Sequence, residues 1–263
     1  MLAPRWRHLW KSATGLRVGE DESNLGSVKE QQEFLDHLLV LRDSAPLETC
    51  VLRFNWYDDD DFEDIFRLNV WFRYAIHRKV RFLRLDVWQE EEFGNPVPID
   101  EQPIVSQHLT RLQLYGIVLN DGLLDFSSCP SLEHLVFESC VFECAKISSN
   151  SVKHLSITFS NFPAGTSRVR IDIPSLVSLR LDRIYDRKPV LERMPSLVDA
   201  FVSVPSSSED FCGESDSGDC GRDGCESCYG FTNKNCVLLE GLSEAKMLVL
   251  INEDESVCLH FHL

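Results

Sequence analysis

The stretch "PSLEHLVF", residues 130–137, decides the fold. Leu135 and Phe137 alternate with His134 and Val136, so the apolar pair faces one way and the intervening residues the other. Pro130 fixes the approach to this short strand and has no N–H to leave unpaired. Working outward, the pattern Leu-x-x-Leu-x-apolar recurs in "LTRLQL" (109–114), "VKHLSI" (152–157) and "LVSLRL" (176–181). "FLRL" (82–85) and "VLRF" (51–54) carry its core, and "LVDAFV" (197–202) is a weaker copy. The Pro-Ser-Leu lead-in returns at Pro174 and Pro195.

Anchored on Leu112, Leu135, Leu155 and Leu179, the repeats are 23, 20 and 24 residues apart. The earlier steps, Leu52 to Leu83 and Leu83 to Leu112, are 31 and 29. Such periods fit leucine-rich repeats, in which each strand buries its apolar face only by stacking on its neighbours. The expected fold is therefore an α/β leucine-rich-repeat solenoid: a curved sheet of short parallel strands with helical or irregular connections behind it. An ordinary sheet protein with leucine-rich strands is the alternative, and the recurring lead-in counts against it.

Two helices are expected among the early repeats. Val28–Leu41 places Phe34, Leu35, Leu38, Leu39 and Leu41 on one broad face, and 61–79 places Phe62, Ile65, Phe66, Val70, Trp71 and Ala75 at helical spacing. The acidic run Asp58–Asp61 would cap the second helix. "KMLVLI" (246–251) and "VCLHFHL" (257–263) read as closing strands.

A net charge of −16 argues against general binding to nucleic acid or to anionic membranes, because the long-range field repels both. No apolar run is long enough to span a bilayer, and the first residues lack a signal-peptide core. Ten cysteines are then expected as free thiols in a reducing, intracellular setting, cytoplasm or nucleus.

The start of the chain, "MLAPRWRHLW", resembles the last helix of a plant F-box domain, where a Leu-Ser-(Lys/Arg)-Arg-Trp-Arg-x-Leu-Trp phrase precedes leucine-rich repeats. Leu2, Arg5, Trp6, Arg7, Leu9 and Trp10 match it, with Ala3-Pro4 in place of Ser and a basic residue. "GLRV" (15–18), "WFRYAIHRKVRFLRLDV" (71–87) and "CPSLEHLVFESCVF" (129–142) look like the same family. The resemblance implies a substrate receptor of a cullin–RING ubiquitin ligase, whose F-box grips a Skp-type adaptor and whose repeats grip a protein target. It makes Arg5, Trp6, Leu9 and Trp10 the adaptor-docking residues. The leading Leu-Pro-x-(Asp/Glu)-(Leu/Ile)-Leu helix of an F-box is missing from the sequence, so truncation and impaired adaptor docking are expected. The domains expected are an F-box remnant with linker over 1–18, repeats over 19–204, an acidic Cys/Ser/Gly-rich loop over 205–236, and terminal strands over 237–263.

On the sheet face, the residues between each apolar pair are Arg53, Arg84, Gln113, Val136, Ser156, Arg180 and Phe201. Those just before are Val51, Phe82, Arg111, His134, His154, Ser178 and Asp199. Arg53, Arg84, Arg111, His134, His154 and Arg180 would then converge as a partner-binding face for an acidic or phosphorylated segment. Local pairing with Asp86, Glu138 and Asp182 is the competing expectation. His134 and His154 lack a third metal ligand. In the loop, Cys212, Cys220, Cys225 and Cys228 are weak zinc candidates: Cys225-x-x-Cys228 has suitable spacing, but the gaps before it are irregular.

No nucleophile elbow, phosphate loop or zincin helix is present in the sequence. The expectation is a non-catalytic recognition subunit without a cofactor. The alternatives are a free-standing repeat scaffold with no ubiquitination role, and a zinc or redox module at the Cys-rich loop.

Overall fold

Repetition with an odd-even alternation of apolar residues builds strands that stack side by side. The computed structural model describes residues 9–19, 28–43, 45–56, 62–89, 96–163, 168–205, 238, 241–252 and 257–262. Its main sheet has ten strands in chain order: β1 (Gly15–Val18), β2 (Thr49–Trp56), β3 (Phe82–Gln89), β4 (Arg111–Tyr115), β5 (His134–Glu138), β6 (His154–Thr158), β7 (Ser178–Asp182), β8 (Asp199–Val204), β9 (Met247–Asn252) and β10 (Val257–His262). Neighbours pair in parallel up to β9, and β10 turns back antiparallel on β9. The fold is the expected leucine-rich-repeat type.

The return paths differ along the molecule. Helix α1 (Val28–Leu41) connects β1 to β2, and α2 (Phe62–His77) connects β2 to β3. After β3, short strands stand in the return paths. Val97–Pro98, Ile117–Asn120, Val141–Glu143, Asn161–Phe162 and Tyr185–Asp186 form a second sheet, and Lys146–Ser148, Arg170–Asp172 and Val190–Leu191 a third. From β4 onward the repeat period of 20 to 24 residues leaves too few residues for a helix of several turns.

The corner that leaves the main sheet is built the same way in four successive coils. Gly116, Ser139, Phe159 and Arg183 each follow β4, β5, β6 and β7 by one residue, and each is left-handed, with φ of 69°, 52°, 51° and 53°. Their N–H groups donate to Glu138, Thr158, Asp182 and Ser203, so each corner is tied to the next coil. Only Gly116 adopts this conformation without a side-chain cost. Replacing Ser139 by glycine should therefore raise stability by up to about 1 kcal/mol, the relief being partly offset by a freer unfolded chain. An unchanged or lower urea midpoint would contradict this.

Register carries the core. Leu83, Leu112, Leu135, Leu155, Leu179, Ala200 and Leu248 align across β3–β9, and all are buried. Behind them, Phe142 and Phe162 stack with ring centroids 4.6 Å apart, while Phe137 meets Phe142 edge-on at 5.4 Å. Phe137 and Phe142 belong to one coil and Phe162 to the next, and all three are fully buried.

Three expectations need correction. In β2, Cys50 rather than Leu52 pairs with Leu83, and Leu52 pairs with Leu85. "TCVLRFNW" is apolar at positions 50, 51, 52 and 54, so its alternation alone does not fix the register. The helices are also rotated from the expected faces. Phe34 and Leu41 of α1, and Phe66 and Val70 of α2, are exposed, whereas Leu35, Leu39, Leu68, Trp71, Phe72, Ala75 and Ile76 are buried. Aromatic residues surround α2, and packing on the sheet selects the stripe at 68, 71, 72, 75 and 76. Finally, the sheet extends forward to "GLRV", assigned above with residues 1–18, where Leu16 and Val18 point inward and Gly15 and Arg17 outward. Asp58–Asp61 lies outside the described residues.

Candidate recognition face

The open face of the main sheet consists of the residues that the core does not take, arranged in three columns. The first column runs Thr49, Phe82, Arg111, His134, His154, Ser178, Asp199, Met247. The second runs Val51, Arg84, Gln113, Val136, Ser156, Arg180, Phe201, Val249. The third runs Arg53, Asp86, Tyr115, Glu138, Thr158, Asp182, Ser203, Ile251. The corrected register of β2 moves Arg53 out of the Arg84 column and places it opposite Asp86. It likewise sets Val51, expected beside Phe82, opposite Arg84.

That shift creates a charged knot. Asp86 is fully buried although it belongs to the open face. Arg84 donates to its Oδ2 from Nη2 at 2.7 Å and from Nε at 3.2 Å, and Nε of Arg53 lies 3.7 Å away. The Arg84 guanidinium also covers the Tyr115 ring at 4.4 Å. Oδ1 of Asp86 is buried and accepts no hydrogen bond among the described residues. Burial, helped by the neighbouring Asp86 carboxylate, pushes Glu138 above the usual carboxylate range. Burial likewise raises the Tyr115 phenol, with Arg84 opposing.

Further along, Arg180 pairs with Asp182 on its own strand and covers the Phe201 ring at 4.3 Å. Both arginines thus find a carboxylate two residues on, where a strand returns to the same face. The competing expectation of local pairing holds for Arg53, Arg84 and Arg180. The remaining three candidates behave differently. Arg111 and His154 are exposed, His134 is half-buried, and the two imidazoles stack at 4.5 Å with planes 9° apart.

Burial is the main cause that holds His134 below the ordinary imidazole value, followed by the charge of Arg111 and by His154. The unfolded chain therefore binds this proton more readily than the folded one. The resulting stability is present above the ordinary imidazole value of about 6.5 and is lost as pH falls through the lower folded value. His134→Gln should flatten the slope of stability against pH between about 7 and 5. An unaltered slope would contradict the assignment.

Tyr115 was not found from the sequence, and Arg53, Asp86, Glu138 and Asp182 were named there without being placed in one column. Their signal was the residue just after each apolar pair, whose chemistry varies from coil to coil. Leu9 begins a 3₁₀ turn, Leu9–Ser12, in which Trp10 is half-buried with Lys11 5.8 Å from its ring centroid. Arg5, Trp6 and the four loop cysteines lie outside the described residues. Among the described residues no three His, Cys, Asp or Glu side chains come together to hold a metal. Burial pushes the thiols of Cys50, Cys140 and Cys144 up to about 12, which makes them poor nucleophiles. No described helix is long and apolar enough to cross a membrane.

Comparison with known proteins agrees with the repeat architecture. The chain is similar to an F-box/LRR-repeat protein of Arabidopsis thaliana, 25% identical over 241 residues, covering 78% of this chain and 49% of that relative. An F-box/FBD/LRR-repeat protein of the same plant is 26% identical over 234 residues, covering 78% and 54%. The MEIOTIC F-BOX protein MOF of Oryza sativa subsp. japonica is 26% identical over 223 residues, covering 78% and 46%. The chain spans about half the length of the curated relatives it matches. No family model matches it. No solved structure matches it either.

Proposed function

We propose that this chain is the target-recognition part of an F-box receptor in a cullin–RING ubiquitin ligase, a binding subunit without catalytic chemistry of its own. One observation carries this reading: a continuous parallel sheet whose open face aligns polar, charged and aromatic side chains in register over eight strands. A solenoid of this kind offers an extended surface suited to a protein segment. The names of its plant relatives, F-box and LRR-repeat proteins, support an F-box receptor role in general, and the cullin–RING context is part of the proposal. In this reading a Skp-type adaptor docks through the segment containing Arg5, Trp6, Leu9 and Trp10, weakly where that segment acts alone. The setting is intracellular, in cytoplasm or nucleus.

The test is a pull-down with a Skp-type adaptor, comparing this chain with a version extended upstream from its own gene. Retention of the extended form, with weaker retention of this chain, supports the receptor reading. Failure of both moves the assignment to a free-standing repeat scaffold. The face itself is best tested at Arg111. Changing Arg84 to glutamate would set a new carboxylate beside buried Asp86 and confound binding with folding.

A further inference from the structure

Of the six basic residues brought to the open face, three are already engaged in ion pairs. Arg53 and Arg84 share Asp86, and Arg180 holds Asp182. The other three, Arg111, His134 and His154, stand directly opposite one another on β4, β5 and β6 in the first column. Ser178 continues the row on β7 with a hydroxyl, and Asp199 ends it on β8. Among the described residues, no carboxylate is paired with Arg111 or with either imidazole.

We propose that Arg111, His134 and His154 form one row that reads the phosphate of a phosphorylated serine or threonine segment in the partner protein. This deepens the recognition reading above and rests on it. Adjacent strands are about 4.8 Å apart, so three donors in one column span a distance that a phosphate and its flanking backbone can bridge. Arg111 supplies a guanidinium for bidentate contact with two phosphate oxygens. Each imidazole supplies an N–H, and a second once protonated.

Charge complementarity selects the occupant. The chain as a whole carries −16, so a broadly acidic partner is repelled at long range. A single dianionic group placed on this local positive row is not disfavoured in the same way, because the attraction acts at contact distance. The stacked histidines add a proton-linked element. Two imidazolium rings 4.5 Å apart repel each other, and Arg111 opposes the charging of His134. Glu133 acts in the opposite direction, but its carboxylate already accepts from Lys153 at 2.5 Å. Arg81, just before β3, adds no negative charge to the row. A bound phosphate supplies the missing counter-charge, so binding takes up a proton on the pair.

The phosphate's own second ionisation, near pH 6, sets the other limb. Affinity for a phosphoserine peptide should therefore peak between about pH 6 and 7. Affinity for sulfate, which stays dianionic, should keep rising as pH falls.

The experiment is imidazole NMR on the full chain, titrated with a five-residue phosphoserine peptide, its unphosphorylated counterpart and inorganic sulfate. His134 and His154 should move while His37, His77 and His108 stay still. Their titration midpoints should rise by about half a pH unit or more with the phosphopeptide. Arg111→Gln, with its fold checked by circular dichroism, should weaken the phosphopeptide about tenfold. Equal binding of the unphosphorylated peptide, uniform shifts of all eight histidines, or no effect of Arg111→Gln would overturn the proposal. Equal affinity for a short oligonucleotide at physiological salt would overturn the protein-segment assignment. Should the row fail here while Arg111→Glu still strips a protein from the cellular complex, the recognition reading survives and only the phosphate chemistry falls. If neither effect is seen, both fall.

Discussion

Replacing Phe142 by alanine should cost about 3–5 kcal/mol and make the chain largely unfolded at modest urea concentration. Phe142 is fully buried, stacks on Phe162 at 4.6 Å and receives Phe137 edge-on at 5.4 Å. It thereby joins the two bends of its own coil to the next coil through aromatic contact, and on its other side it stands opposite Leu119 of the preceding coil. In a solenoid each coil is held mainly by its neighbours, so a cavity here weakens two interfaces at once. Phe142→Leu retains most of the volume and should lose clearly less. Equal urea midpoints for the alanine variant and the parent would show that the aromatic ladder is not a main source of cohesion.

Gly116→Ala should be nearly as damaging, by about 3 kcal/mol or more, although it adds a single methyl group. Gly116 has φ of +69°, where a side chain is unfavourable, and a Cβ there would come 2.1 Å from the carbonyl oxygen of Val87. That oxygen belongs to the backbone of β3 and cannot rotate away. Relief requires β3 and β4 to separate or slide, and those strands carry Arg84 and Arg111 respectively. The variant should thus lose stability and also disturb the open face, which amide exchange along β3 and β4 would detect. The neighbouring corner responds in the opposite sense, since Ser139 already bears the left-handed cost and gains from glycine. Opposite signs at two equivalent corners are difficult to obtain from any cause other than backbone conformation.

The repeat phrases were legible because burial on one face enforces a period of two, and that period is visible wherever leucine recurs in "LEHLVF" or "LVSLRL". The limits of α1 were legible too. The buried stripe of α2 was not, because Phe66 and Val70 are as apolar as Leu68 and Phe72 and only the sheet distinguishes them. The register of β2 was hidden by three consecutive apolar residues, Cys50, Val51 and Leu52. From that one slip followed the wrong neighbour for Arg53 and the missed knot at Asp86. Hydrophobic pattern specifies which residues are inside more strongly than which partner each outside residue meets. The row formed by Arg111, His134 and His154 survived because β4, β5 and β6 carry unambiguous Leu-x-apolar pairs.

In the proposed reading the open face selects a protein target independently of adaptor docking. The most direct measurement is quantitative mass spectrometry of complexes purified from cells through the upstream-extended chain, comparing the parent with Arg111→Glu. The predicted result is equal recovery of the Skp-type adaptor together with loss of at least one other protein from the variant. Identical protein sets and amounts, with the adaptor present in both, would contradict the claim.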